Sequence, residues 1–165
     1  CALPIYNGHR RTFATGAVRD MAAGKGWYDL LPLDLLGDRL DEPIFRLAHK
    51  YLLTKDPGVL WDILNEFLGS EADLPWYEAI MGLAEHYEAG AKKYGEHNWQ
   101  KGIPVRSYID SALRHYVQYQ AGHHYDEPHD VAFLWNVLSA IWTHKHKPEM
   151  VDASVWPEDG ERGSA

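Results

Sequence analysis

Residues 76–94, which read WYEAIMGLAEHYEAGAKKY, carry the clearest helical pattern in the chain. Pro75 stands immediately before this stretch and Gly95 immediately after it, where proline starts a helix and glycine ends one. Between these boundaries apolar side chains recur every three or four residues, which places them on one helix face. They are Ile80, Leu83, Ala84, Tyr87, Ala91 and Tyr94. A helix of this length with one apolar face is predicted to pack against other helices.

Two further long helices are predicted downstream. The first runs from Val105 to Ala121, ends before Gly122, and carries Ile109, Leu113, Tyr116 and Val117 as its apolar residues. The second is predicted to use Asp126 as its N-cap, with Glu127 and Pro128 in its first turn. Its apolar residues are Val131, Leu134, Trp135, Leu138, Ile141 and Trp142.

Shorter helices are expected upstream. The stretch from Leu33 to about Thr54 has helical spacing interrupted by Gly37 and Pro43, which predicts two short helices. A third short helix is predicted from Val59 to Leu68.

The predicted fold class is all-α: a compact helical bundle with an irregular Gly-rich N-terminal arm. Residues 1–32 are rich in glycine and turn-forming residues and form this arm. Residues 148–165 are expected to be a polar tail, so that a single domain covers residues 1–147. No strand alternation or internal repeat is evident.

The amino-acid composition argues against several classes of function. Hydrophobic residues make up 45% of the 165 residues and charged residues 24%, the balance of a soluble globular domain. The net charge of -8 argues against a nucleic-acid partner, but a small anionic ligand fits if acidic side chains hold a divalent cation. The single cysteine, Cys1, cannot form an internal disulfide. No apolar run reaches about 18 residues and no signal peptide is evident, so we expect no membrane contact and a cytoplasmic location.

Acidic pairs on two predicted helices are candidates for metal binding. Glu85 and Glu88 are three residues apart, and so are Glu127 and Asp130, with Asp126 four residues before Asp130. This spacing lets two carboxylates on one helix reach the same divalent ion. The same residues fit solvated helix faces, and acids at a helix start are also favoured by capping and the helix dipole.

Asp110 lies on the second long helix, with Arg114 four residues later and His115 beside it. Asp110 is a candidate metal ligand or base and Arg114 a candidate stabiliser of phosphate charge; the two also fit a simple i,i+4 ion pair.

Cationic, amide and aromatic residues supply candidate substrate contacts. Lys92 and Lys93 fit phosphate ligands, or cations that complement the end of a helix. Asn98 and Trp99 fit base contacts, or an ordinary turn and core position. Lys25, between two glycines, resembles a phosphate loop without the full Walker pattern.

Histidines suggest two other kinds of site. Five histidines between residues 123 and 146 fit either transition-metal binding or polar helix ends. They are His123, His124, His129, His144 and His146. His129-Asp130, with His86 or His115 upstream, also suggests an HD-type phosphohydrolase, although the further distant aspartate that it requires has only Asp152 as a weak candidate.

Three blocks of sequence carry a family resemblance. The first comprises FATGAVRD (13–20) and GKGWYDLLP (24–32). The second runs from HYEAGAKKYG (86–95) through Asn98-Trp99 and Lys101-Gly102, and the third from DSALRH (110–115) through Asp126-Glu127, His129 and Trp135-Asn136. Together they resemble the N-terminal domain family of phage dATP/dGTP diphosphohydrolases over most of the chain, except for residues 33–75 and the tail.

The resemblance implies an enzyme of phage nucleotide metabolism in the host-cell cytoplasm, which removes pyrophosphate from purine deoxynucleoside triphosphates. For such an enzyme, the candidate ligands of Mg²⁺ or Mn²⁺ are Glu85, Glu88, Asp126, Glu127 and Asp130, and the candidate catalytic residues are Glu88, Asp110 and Glu127. The candidate substrate contacts are Arg19, Lys25, Lys92, Lys93, Asn98, Trp99, Arg114, His115 and Asn136. Related helical pyrophosphohydrolases assemble as dimers or tetramers, so a homo-oligomer is expected.

A non-catalytic nucleotide-binding or assembly module is the remaining alternative. In the proteins that gave the family its name, this domain stands beside a MazG-type catalytic domain, and no such second domain is recognisable in this sequence. The MazG-type pattern pairs a Glu-Glu-x-x-Glu helix with a Glu-x-x-Asp helix. Glu85 and Glu88 match only part of the first motif, whereas residues 127–130 match the second.

Overall fold

The computed structural model describes residues 10–20, 24–71 and 76–154. It confirms the all-α prediction, since helices dominate these residues. They are α1 (Leu33–Leu40), α2 (Pro43–Thr54), α3 (Pro57–Glu66), α4 (Trp76–Tyr94), α5 (Val105–Gln120) and α6 (His129–His146). None of the helices in the described residues has the length and apolar character needed to cross a bilayer.

Helices α5 and α6 form the centre of the bundle. They make the most extensive helix-helix contact of the described structure, and ten of the 16 residues of α5 are buried. Phe67, Tyr116 and Phe133 join α5 and α6 to the end of α3, with ring centroids 4.4 to 6.0 Å apart. Because α5 is covered on nearly all sides, its polar residues Asp110 and Arg114 are buried as well. A buried ion pair on the central helix is costly unless it is well paired, so this region is a candidate for the functional site.

The arm contains a β-hairpin that the sequence did not predict. Strand β1 (Arg10–Thr12) pairs antiparallel with β2 (Val18–Asp20), and Arg11 lies opposite Arg19. Gly16 turns the chain with φ of +88°, a conformation that side-chain-bearing residues rarely adopt. Three-residue strands are too short to show a period-two pattern, which explains why the segment was expected to be irregular.

Aspartate and glutamate side chains cap the two helices that start with proline. The Asp56 side chain accepts a hydrogen bond from the backbone N–H of Gly58 at 2.8 Å, and Glu42 caps α2 in the same way. Such caps satisfy backbone donors that the helix leaves unpaired.

We expect the substitution Asp56→Ala to lower the free energy of unfolding by about 1 kcal/mol, the usual size of a lost N-cap. Urea unfolding followed by tryptophan fluorescence measures this change. Asp62→Ala, on the exposed face of α3, is the matched control and should alter stability by less than about 0.5 kcal/mol. Equal losses in both variants would contradict the capping role.

One predicted helix boundary differs from the structure. Helix α6 begins at His129, so the prediction of Asp126 as its N-cap is wrong: Pro128, with ψ of 86°, stands outside the helix, and the Asp126 carboxylate accepts from the His129 ring instead. The predicted polar tail begins with a 3-10 turn, Pro148–Met150, and Met150 packs against the core. Residues 155–165 lie outside the described part.

Candidate functional site

Arg19 on β2 is the most unusual side chain near the centre of the bundle. Its Nη2 donates to Asn136 Oδ1 at 2.8 Å, and its guanidinium lies 5.2 Å from the Tyr108 ring and 5.7 Å from the Trp135 ring. Its Nη1 atom is buried without a hydrogen-bond partner, and no carboxylate of the described residues forms an ion pair with Arg19. Burial, together with the nearby charge of Arg11, lowers the pKa of Arg19 to about 10. A half-buried cation with one unpaired donor suits an anionic ligand.

Asp20, the next residue along β2, connects the hairpin to α4. Its carboxylate accepts from Lys93 Nζ at 2.8 Å and from the Tyr94 hydroxyl. Burial acts to raise the pKa of Asp20, but these two hydrogen bonds outweigh burial and lower it. Lys25 is close enough to Asp20 for each charge to affect the pKa of the other.

The Asp110–Arg114 ion pair fixes the glycine-rich loop of the arm on α5. Asp110 Oδ2 accepts from Arg114 Nη2 at 2.7 Å, and its Oδ1 accepts from the backbone N–H of Tyr28 at 2.6 Å. Arg114 also donates to the carbonyl of Gly26 at 3.1 Å. These contacts hold Lys25 beside Arg19 and Arg114. Burial, together with the charges of these two arginines, lowers the pKa of Lys25. Arg19, Lys25, Lys93 and Arg114 are called the cationic cluster below.

A second group, called the histidine cluster, consists of His115, Glu127 and His129. The Nδ1 atoms of His115 and His129 are 2.9 Å apart, and Glu127 Oε1 lies 3.8 Å from each of them. His129 is fully buried, and its Nε2 lies 2.8 Å from Asp126 Oδ1. Burial, with the nearby His129 and Arg114, holds the pKa of His115 well below its usual range, so its ring is neutral. Burial also raises the pKa of Glu127.

The two clusters are neighbours. The charge of Lys25 affects the pKa of Glu127, and that of Arg19 affects the pKa of His115. His86 on α4 lies against Trp135, with ring centroids 5.3 Å apart, and burial together with Arg19 lowers its pKa to about 4. Several titratable groups with perturbed pKa values in one place indicate a functional site.

The carboxylates predicted to bind metal do not form a cluster as close as the histidine cluster. Glu85 and Glu88 are exposed on α4, and Glu88 forms an ion pair with Lys92 at 3.5 Å. Asp130 lies in the first turn of α6. Within residues 10–20, 24–71 and 76–154, the one group of three or more His, Cys, Asp or Glu side chains with ligand atoms within 4.8 Å of one another is the histidine cluster. Of the predicted carboxylate ligands, only Glu127 belongs to it.

Two predicted substrate contacts, Asn98 and Trp99, hold structural elements together. Asn98 is buried; its Oδ1 accepts from the backbone N–H of Val18, and its Nδ2 donates to the Val18 carbonyl, both at 2.8 Å. Asn98 therefore fixes β2 next to the bundle, and with it Arg19. Trp99 packs between Tyr87 and Trp142.

The role of His129 in a cluster with Glu127 was not predicted from the sequence. The sequence suggested His129 only as one of five histidines that fit metal binding and as part of the HD-type alternative. The available signal was the i,i+3 spacing of Asp126 and His129, which lets a carboxylate orient an imidazole. Asp20 was also missed as the shared partner of Lys93 and Tyr94, because these contacts join parts of the chain that are 73 and 74 residues apart.

Comparison with known proteins gives one family. The family model described as dATP/dGTP diphosphohydrolase, N-terminal, matches residues 70–153, just over half of the chain. No curated protein and no solved structure matches the chain. The matched segment includes all of α4, α5 and α6, and therefore the histidine cluster, whereas Arg19 and Lys25 precede it.

Proposed function

The chain belongs to the dATP/dGTP diphosphohydrolase N-terminal family, and from this membership we propose that it hydrolyses purine deoxynucleoside triphosphates to the monophosphate and pyrophosphate in a metal-dependent reaction. Of the described residues, those of the cationic cluster and the histidine cluster are the proposed site.

The unsatisfied Arg19 guanidinium is the observation that carries this proposal. The chain has a net charge of -8, yet four cationic side chains are gathered at one place. Their charges affect the pKa of one another or of the same carboxylates; they are Arg19, Lys25, Lys93 and Arg114. Concentrating cations in this way costs free energy in the absence of a ligand, because like charges repel and burial disfavours ions. A triphosphate would offset that cost with several negative charges and non-bridging oxygen acceptors.

Each of the described residues of the site has a proposed role in this reaction. Arg19 Nη1 donates to a non-bridging phosphate oxygen, and Asn136 holds the guanidinium in position through Nη2. Lys25 and Lys93 stabilise the charge of the departing pyrophosphate. Asp110 and Arg114 hold the loop that carries Lys25, while Asn98 holds the strand that carries Arg19. Lys92 and Trp99 remain proposed outer contacts of the substrate.

A divalent metal ion fits one set of these residues. Glu127 supplies an oxygen donor, and His115 and His129 supply nitrogen donors within 3.8 Å of it. When bound, a divalent cation supplies charge neutralisation and a water of lowered pKa for attack on the α-phosphorus. Glu85, Glu88, Asp126 and Asp130 remain proposed as ligands only if substrate binding draws them toward the site.

Product analysis tests the proposal. The purified chain is incubated with dATP or dGTP and with Mn²⁺ or Mg²⁺, and the products are resolved by anion-exchange chromatography. Monophosphate plus pyrophosphate is the expected result. Nucleoside plus triphosphate would instead support the HD-type reading, which the proximity of His115 to His129 favours. Nucleotide binding without turnover would support a non-catalytic module.

A further inference from the structure

The histidine cluster has the geometry of a metal site. Its three ligand atoms form a triangle with sides of 2.9, 3.8 and 3.8 Å. Ligands placed 2.0–2.1 Å from a tetrahedral ion are separated from one another by about 3.3–3.4 Å. Shifts of about half an ångström in the Glu127 and His115 side chains, with a turn of both imidazole rings that directs their Nδ1 lone pairs at a common point, would bring all three atoms into the coordination sphere of one ion.

Asp126 prepares His129 for this role. A carboxylate only accepts hydrogen bonds, so the 2.8 Å contact with Asp126 Oδ1 places the proton of His129 on Nε2. The lone pair of His129 Nδ1 then points at His115 Nδ1, which donates to it across 2.9 Å. A carboxylate that fixes the tautomer of a ligating histidine is a recurrent feature of protein metal sites.

A bound cation would replace the proton between the two rings. His115 would then carry its proton on Nε2 and present Nδ1, so that both imidazoles ligate in their neutral form. Glu127 is 37% exposed and His115 15% exposed, which leaves a path from solvent to the ion. Three protein ligands also leave one coordination position open for water.

The donor set selects the class of metal. Imidazole nitrogens suit zinc and other first-row transition metals, whereas Mg²⁺ prefers oxygen ligands and keeps its waters. We infer that His115, Glu127 and His129 bind one transition-metal dication, with Asp126 as the positioning residue of His129, in preference to Mg²⁺. The site itself does not rest on the proposed function.

Cobalt substitution tests this inference on the full chain. After removal of metals with a chelator, Co²⁺ is titrated and the visible absorption of four- or five-coordinate Co²⁺ is recorded. We expect one Co²⁺ per chain, displaced by stoichiometric Zn²⁺ but not by a large excess of Mg²⁺. Absorption of octahedral, aquated Co²⁺ alone would overturn the inference.

Variants assign the ligands. Outer-shell changes cost metal affinity about 10–100-fold, so Asp126→Asn should weaken Co²⁺ binding to that extent, and His129→Ala and Glu127→Gln by at least about 100-fold. Glu127→Gln is the decisive variant if His129→Ala fails to fold, as judged by circular dichroism. The matched controls are His97→Asn and Glu149→Gln, which remove an exposed imidazole and an exposed carboxylate. Equal Co²⁺ affinity in Glu127→Gln and the unmodified chain would overturn the assignment.

The two proposals fail in different ways. Cobalt binding without nucleotide turnover would support the metal site and contradict the hydrolase. Turnover with Mg²⁺ in a chain that does not bind Co²⁺ or Zn²⁺ would support the hydrolase and overturn the metal site.

Discussion

Arg19→Ala should lower kcat/KM for dATP and dGTP by about 100-fold or more, because removing one preorganised donor to developing charge has an effect of that size. Arg19 Nη1 has no acceptor among the described residues, so a phosphate oxygen would satisfy a donor that the free protein leaves unpaired. The same substitution leaves the buried Asn136 Oδ1 without its donor, so it should also lower the free energy of unfolding by about 1–3 kcal/mol. Steady-state kinetics and thermal unfolding of the same samples measure both effects.

Ligand-dependent stability separates binding from folding in this experiment. A ligand that binds only the folded chain raises its stability by about 2.7 kcal/mol at 100 times its Kd. Adding dATP should therefore raise the Tm of the unmodified chain and leave that of Arg19→Ala almost unchanged. Arg39→Ala, an exposed arginine on α1, is the control and should behave like the unmodified chain. Unaltered kinetics in Arg19→Ala would remove the main support for a triphosphate site.

The long helices were predictable because their periodicity is strong and local. The prediction of residues 76–94 matches α4, and the prediction of Val105 to Ala121 differs from α5 by one residue at its end. The start of α6 was misplaced because Asp126 has the residue type of a cap, while the use of its carboxylate is decided by a neighbouring side chain. The hairpin was missed because its stability depends on docking to Asn98.

The site was only partly predictable for a similar reason. Arg19, Lys25 and Glu127 were identified by residue type and resemblance, and the Asp110–Arg114 pair by its spacing. The contact between His115 and His129 depends on how α5 packs against α6, which periodicity does not specify. Likewise, the i,i+3 spacing of Glu85 and Glu88 defines a helix face but does not say what that face meets.

Asp110→Ala should lower the free energy of unfolding by about 3 kcal/mol, the lower end of the range for breaking a buried ion pair, because Arg114 is still 11% exposed. Asp110 is 1% exposed and also accepts from the backbone N–H groups of Tyr28 and Asp29, so its loss leaves these two donors and Arg114 without their acceptor. A loss of this size is a large fraction of the 5–15 kcal/mol that stabilises a typical domain. Urea unfolding measures it.

Variants at both ends of the pair distinguish a structural Asp110 from the metal ligand or base that the sequence suggested. Asp110→Asn keeps an acceptor for Tyr28 and should be destabilised less than Asp110→Ala. The double variant Asp110→Ala/Arg114→Met should recover part of the loss, because no buried cation is then left unpaired. A structural role predicts that turnover follows the folded fraction in all of these proteins. If Asp110→Asn unfolds at the same urea concentration as the unmodified chain but shows no turnover, Asp110 takes part in the chemistry, and holding the loop is not its main function.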